Sequence, residues 1–235
     1  MKILVGSVYN QESLKWHEIQ YEFLRINTSC EFDHIVFFHG LQDGLVQLDC
    51  DLVDAREQHV FGIGKVLEKF ECEKEYSHCL ILDSDAFPIE KKWDYRLKKV
   101  MDENLCSAAC PIRFENLDTF FHPCVVFFDR KALPMDIGLK PIENLLGHKC
   151  DEVAVDPHCK TFPLLKTNLF SPHPVASSIY FDMFYHHGFG SRDFNCRSVH
   201  VNNYYPDVTH PDSLTRSLFS NPKSFISKLM GKKIL

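Results

Sequence analysis

The stretch SHCLILDSDAFP, residues 77–88, decides the fold class. Cys79 to Leu82 form an unbroken apolar run too short for a helix, the pattern of a strand buried on both faces. The run ends in Asp83-Ser84-Asp85, and Ala86-Phe87-Pro88 follow. Side chains alternate along an extended chain, so Asp83 and Asp85 project to the same side. Two carboxylates brought together repel, and one is driven toward protonation unless a cation lies between them. Hard oxygen ligands favour Mg²⁺ or Mn²⁺, ions that keep coordination positions for water and phosphate oxygens. Asp and Ser are also common turn residues, so the triplet alone is equally a strand-ending turn. Its location argues for the clamp, because ligands of open α/β sheets bind beyond the carboxyl ends of the strands.

Working toward the N-terminus, KILVGSV (2–8) is another buried-strand pattern, followed by the turn-like residues 7–12. Leu14, Ile19, Phe23 and Ile26 share one side of a predicted helix. DHIVFF (33–38) reads as a second strand, ended by His39-Gly40, and residues 56–71 read as a helix interrupted by Gly62 and Gly64. This alternation predicts an α/β domain with parallel strands. Beyond residue 88 the pattern becomes strand-rich, with the apolar runs CSAACPI (106–112), HPCVVFFDR (122–130) and SSIYFDMFYHHG (177–188). The tail LFSNPKSFISKLMGKKIL (218–235) reads as a basic amphipathic helix begun by Pro222. The expected organisation is one domain over 1–210, with halves 1–105 and 106–210, and a tail over 211–235.

Composition sets bounds on function. A chain of 235 residues, 45% hydrophobic and with 20 Phe, can bury a sizeable core. A formal charge of −6 argues against a general nucleic-acid binder. The 10 cysteines include no C-x-x-C pair, and Cys79 and Cys124 lie inside apolar runs where a thiol packs as a small hydrophobe. Free thiols and no export signal make a reducing cytoplasm the expected compartment. Lys228, Lys232 and Lys233 suit either a peripheral contact with an anionic membrane or a packed terminal helix.

LILDSDAFPI (80–89) resembles the D-x-D segment of glycosyltransferases with the GT-A fold, KILVGSVYN (2–10) is similar to their first strand, and YHHGFGSR (185–192) resembles a C-terminal His-Gly-Ser-Arg segment of bacterial and viral members. The resemblance implies a Rossmann-like mixed central sheet flanked by helices, with a nucleotide-sugar-binding half followed by an acceptor half. It implies a metal-dependent transfer, with Mn²⁺ or Mg²⁺, from a nucleoside-diphosphate sugar (UDP-sugar favoured) to a glycan, lipid-linked or other hydroxyl acceptor.

Residue by residue, the resemblance assigns Ser7, Val8, Tyr9 and Asn10 to the base and ribose, with Tyr9 stacking on the base. Asp43 and Arg56 fall near the nucleotide, though an ordinary surface role fits them as well. Asp83 and Ser84 lie toward the ribose and metal, and Asp85 is the more direct metal ligand. His186 or His187 completes the metal or diphosphate contacts, and Ser191 and Arg192 serve the phosphates, for which an Arg fork is well suited. An inverting transfer needs a carboxylate base within reach of the acceptor hydroxyl. Asp151, Glu152 and Asp156 are the candidates, expected before or within a short helix, where acids also favour the helix dipole. The rivals are a sugar-nucleotide nucleotidyltransferase, which would want a basic Gly-rich loop where GSVYNQES stands, a haloacid-dehalogenase-like phosphatase, and a non-catalytic nucleotide-sugar-binding protein of the same fold.

Overall fold

The strand β1 (Lys2–Asn10) is buried on both faces because it runs through the middle of a sheet. In the computed structural model, residues 1–39, 46–47, 55–115, 118–121, 124–132, 137–143, 149–155, 178–187, 220–225 and 227 are described. After β1, a turn is locked reciprocally: the Asn10 amide donates to Ser13 Oγ and the Ser13 amide donates to Asn10 Oδ1, both at 2.9 Å. A single 3₁₀ turn (Leu14–Trp16) then leads into α1 (His17–Asn27). Strand β2 (Glu31–His39), the short β3 (Val46–Gln47), helix α2 (Ala55–Cys72), and strands β4 (His78–Asp83) and β5 (Ala86–Pro88) follow. Next come α3 (Trp93–Glu103), β6 (Ala108–Ala109), β7 (Ile112–Glu115), β8 (Asp118–Phe121) and β9 (Val125–Asp129). Strands β10 (Ile137–Glu143), β11 (Lys149–Val155), β12 (Ser178–Tyr180) and β13 (Phe184–His186) are the remaining described strands.

The main sheet has the order β3-β2-β1-β4-β9-β6. Its first four strands are parallel, and β9 runs antiparallel to both β4 and β6. The expected mixed central sheet flanked by helices is therefore present. Within the apolar run 177–188, Ser178–Tyr180 and Phe184–His186 form the β12–β13 hairpin, whose turn holds Phe181 and Asp182 at φ of 54° and 59°. β13 also pairs with β5, giving a small second sheet.

Period-two alternation divides the core. Leu4, Val8 and Ile81 face Ile63, Val66 and Phe70 of α2, whereas Ile3, Val5, Leu80 and Leu82 face α1, α3 and the hairpin. Gly6 lies on the α2 face, where an added Cβ would stand 2.3 and 2.5 Å from the two Val66 methyls. Val66 is stiff at χ1 and buried, so it cannot rotate away. Gly6→Ala is accordingly expected to lower stability by about 1–3 kcal/mol through overpacking, measured by urea unfolding. Partial recovery in Gly6→Ala/Val66→Ala would confirm the contact, and an unchanged midpoint in the single variant would refute it.

On the opposite face, His34 stacks between His17 and Tyr21, with ring centroids 5.9 and 6.2 Å away. Burial, reinforced by His17, holds the His34 imidazole down to about 3. The unfolded chain protonates this group near pH 6.5, and the folded chain does so only near pH 3. Stability should therefore fall as pH drops through that window, by up to about 1.4 kcal/mol per unit from this group. Thermal melts at pH 7, 6 and 5 should show a shallower decline for His34→Phe than for the parent chain; equal slopes would contradict this assignment.

Candidate active site

The site is assembled where β1 and β4 end together, with Val8 in register with Asp83. Asp83, Ser84 and Asp85 make the tight link between β4 and β5. The Asp83 amide donates to the Cys124 carbonyl at 3.0 Å, and the His187 amide donates to the Asp85 carbonyl at 3.0 Å. The β5–β13 pairing places His186 opposite Ala86, which brings its imidazole to the triplet. His186 Nε2 lies 3.6 Å from Asp83 Oδ2 and 3.4 Å from Asp85 Oδ1. Ligand atoms of Asp83, Asp85 and His186 all fall within 4.8 Å of one another. Asp85 and His186 are each 4% exposed, whereas the Asp83 side chain is 21% exposed and forms the more open side of the cluster. Two carboxylates and an imidazole that close form a donor set that fits a divalent cation, which would offset their repulsion.

The triplet is held from behind by α1. Gln20 is fully buried on the core-facing stripe of α1, together with Ile19, Phe23, Leu24 and Asn27. Gln20 Nε2 donates to the carbonyls of Asp83 (2.8 Å) and Ala86 (2.7 Å). Farther along the helix, Asn27 Nδ2 donates to the Pro88 carbonyl at 2.8 Å. Among the described strands β5 pairs with β13, and these amides satisfy carbonyls on its other side that water cannot reach.

This arrangement changes the reading of the first strand. Ser7 and Tyr9, expected to line the base and ribose, point toward α1 and are 0% and 1% exposed. Their hydroxyls donate to Gln20 Oε1 at 2.9 and 2.8 Å. Burial, with the Asp85 carboxylate adding to it, holds the Tyr9 phenol well above its ordinary range, so it stays a neutral donor. The two residues brace the triplet through Gln20, and Tyr9 has no free ring face for stacking on a base. Val8 lies on the other side of the strand, packed with Phe37, and Asn10 locks the turn that follows.

Of the histidine pair, only His186 reaches the carboxylates. His187 falls on the other side of the chain, fully buried, with its ring 4.8 Å from that of Trp16 and Nδ1 2.9 Å from the Tyr185 hydroxyl. Arg56 is the second residue of α2. Asp151 and Glu152 lie in β11, opposite Pro141 and Lys140 of β10. The short helix expected there is thus a strand, in keeping with the β-branched Val153 and Val155 at alternate positions. Asp43, Asp156, Ser191 and Arg192 lie outside the described residues.

Two participants escaped the sequence reading, Gln20 and His59. Both interrupt an apolar helical stripe with a polar residue, which is the signal that would have exposed them. His59 Nε2 lies 3.4 Å from Asp83 Oδ1. Elsewhere on α1, Glu22 pairs with Lys223 at 3.0 Å, and Phe225 packs its ring edge-on against Tyr185, so this part of the tail is packed. Among the described residues, no helix is long and apolar enough to cross a membrane.

No family model and no curated protein matches the chain. Among solved structures it is similar to S. aureus TarS 1-349 in complex with UDP-GlcNAc, at 15% identity and a TM-score of 0.37 over 56% of this chain and 46% of that one. It is similar to the apo-form glycosyltransferase GlyE of Streptococcus pneumoniae TIGR4, at 16% identity and a TM-score of 0.38 over 56% and 35% of the two chains. A glycosyltransferase involved in the glycosylation of the major capsid of PBCV-1 matches at 15% identity and a TM-score of 0.35, over 56% and 62%. In each case the similarity spans less than two thirds of the other chain.

Proposed function

We propose that the chain is a GT-A-like, metal-dependent glycosyltransferase that takes its sugar from a nucleoside diphosphate, with UDP-sugar the favoured donor. The observation that carries this reading is the Asp83–Asp85–His186 cluster, with Asp85 and His186 buried and Asp83 half-buried, at the carboxyl end of a mainly parallel sheet. That is where open α/β sheets bind their ligands. Asp83, Asp85 and His186 would hold Mn²⁺ or Mg²⁺, and such an ion supplies the positive charge that stabilises a departing diphosphate. The Gln20 side-chain amide holds the Asp83 and Ala86 carbonyls and so braces the backbone on which the two carboxylates are carried. Ser191 and Arg192 are assigned to the phosphates, and Asp43 and Arg56 to the nucleotide. A carboxylate among Asp151, Glu152 and Asp156 would take the acceptor hydroxyl proton in an inverting transfer, with a glycan or lipid-linked molecule as acceptor. In this reading residues 1–210 form the transferase domain, with the acceptor half beginning near residue 106.

Titration calorimetry with UDP-, GDP- and dTDP-sugars, with and without Mn²⁺, tests the proposal. One donor should bind only when the metal is present. Binding of none, or equal binding without metal, would overturn it. Release of pyrophosphate from a sugar phosphate and a nucleoside triphosphate would point instead to a nucleotidyltransferase.

A further inference from the structure

The core-facing stripe of α2 runs through Phe70, Val66 and Ile63, which are 0%, 0% and 1% exposed. One turn nearer the helix start, the same stripe continues with His59. At that level the helix passes over Asp83, the last residue of β4, instead of over apolar strand residues. The side chain of His59 is 19% exposed and that of Asp83 is 21% exposed, so the pair sits at the lip of the site and not in bulk water.

The two oxygens of Asp83 are divided between two imidazoles. Oδ1 lies 3.4 Å from His59 Nε2, and Oδ2 lies 3.6 Å from His186 Nε2. We propose that His59 is a positioning residue of the metal site: it occupies the Oδ1 side of Asp83 and so leaves Oδ2 turned toward Asp85 and His186. This inference rests on the metal-site reading given above. Three features make the role specific. His59 does not belong to the three-residue group of mutually close ligand atoms, so it acts through Asp83 and not as a fourth ligand of that group. It comes from a helix whose position is fixed by the close approach of Val66 to Gly6, so its imidazole is carried on a rigid support. Carboxylates that bind metals depend on such outer contacts for orientation, and losing one commonly weakens metal binding by about 10- to 100-fold.

The test measures Mn²⁺ binding by the electron paramagnetic resonance signal of free Mn²⁺, together with the melting temperature of the metal-free chain, for the parent, His59→Leu and His59→Gln. Leu extends the apolar stripe and offers no polar contact, whereas Gln keeps a donor near Asp83. His59→Leu should weaken Mn²⁺ binding by about 10- to 100-fold, His59→Gln should restore it to within about threefold, and metal-free melting should be preserved in both. Parent-like Mn²⁺ affinity in His59→Leu, with affinity lost in Asp85→Ala, would overturn the role of His59 and leave the metal site standing. Equal losses of affinity and melting temperature in both His59 variants would also overturn it, because His59 would then be a packing residue. Absence of Mn²⁺ binding by the parent chain would overturn the metal-site reading and this inference with it.

Discussion

Asp85→Ala is expected to abolish measurable Mn²⁺ binding and to lower sugar transfer by about 10²- to 10⁴-fold, the several kcal/mol that a bound cation contributes to stabilising a leaving diphosphate. Asp85 is the more enclosed of the two carboxylates, with its side chain 6% exposed against 21% for Asp83. Its removal leaves Asp83 between His59 and His186, a balance of groups that still satisfies the remaining carboxylate. It also removes one of two like charges from a buried place, so the metal-free variant should melt no lower than the parent. Calorimetry with Mn²⁺ and melting without it therefore separate function from folding. A variant that binds Mn²⁺ normally would show that Asp85 is not a ligand, and one that unfolds would show that its role is structural.

Gln20→Leu should produce the largest loss of stability. The replacement has similar volume, yet it strands the Asp83 and Ala86 carbonyls and the Tyr9 hydroxyl and leaves the Ser7 hydroxyl only His34 Nε2 at 3.5 Å. A buried polar group left without a partner costs about 1–3 kcal/mol, so three together reach on the order of 3 kcal/mol or more after local relaxation. That is a large share of the roughly 5–15 kcal/mol by which domains are stable. Urea unfolding measures it, and a loss below about 1 kcal/mol would mean that water or a rearranged turn replaces the amide. Residual metal affinity in any folded fraction should fall as well, since the amide fixes the backbone that carries Asp83 and Asp85.

The sheet was legible in the sequence because burial on both faces writes itself as uninterrupted apolar runs, as in Leu4-Val5 and Cys79–Leu82. The triplet was legible for the same reason: an apolar run that stops at two carboxylates marks the end of a strand, where ligands of α/β sheets bind. His186 could be narrowed only to one of two neighbours, because choosing between them requires knowing that β13 pairs with β5 and which side of it meets the triplet. That Ser7 and Tyr9 face Gln20 of α1 is not legible in the sequence, since a strand buried on both faces gives no sign of which face is which. Gln20 and His59 act across 63 and 24 positions of chain on Asp83, a distance over which local patterns carry no information. At Asp151 and Glu152, acids at an expected helix start outweighed an alternation that the structure resolves as a strand.

The pairing of β5 with β13 has a consequence for how the molecule comes together. Asp85 and His186 are separated by about a hundred residues, so their meeting closes a very long loop and must await most of the chain. The cluster is therefore expected to be completed late in folding, after the parallel strands are in place. A cation gripped by Asp83, Asp85 and His186 would act as a reversible cross-link across that loop, taking hold only of the finished form. Competence to bind and docking of the β12–β13 hairpin would then be the same event, and a chain whose β12–β13 hairpin has not docked would carry both aspartates without being able to use them.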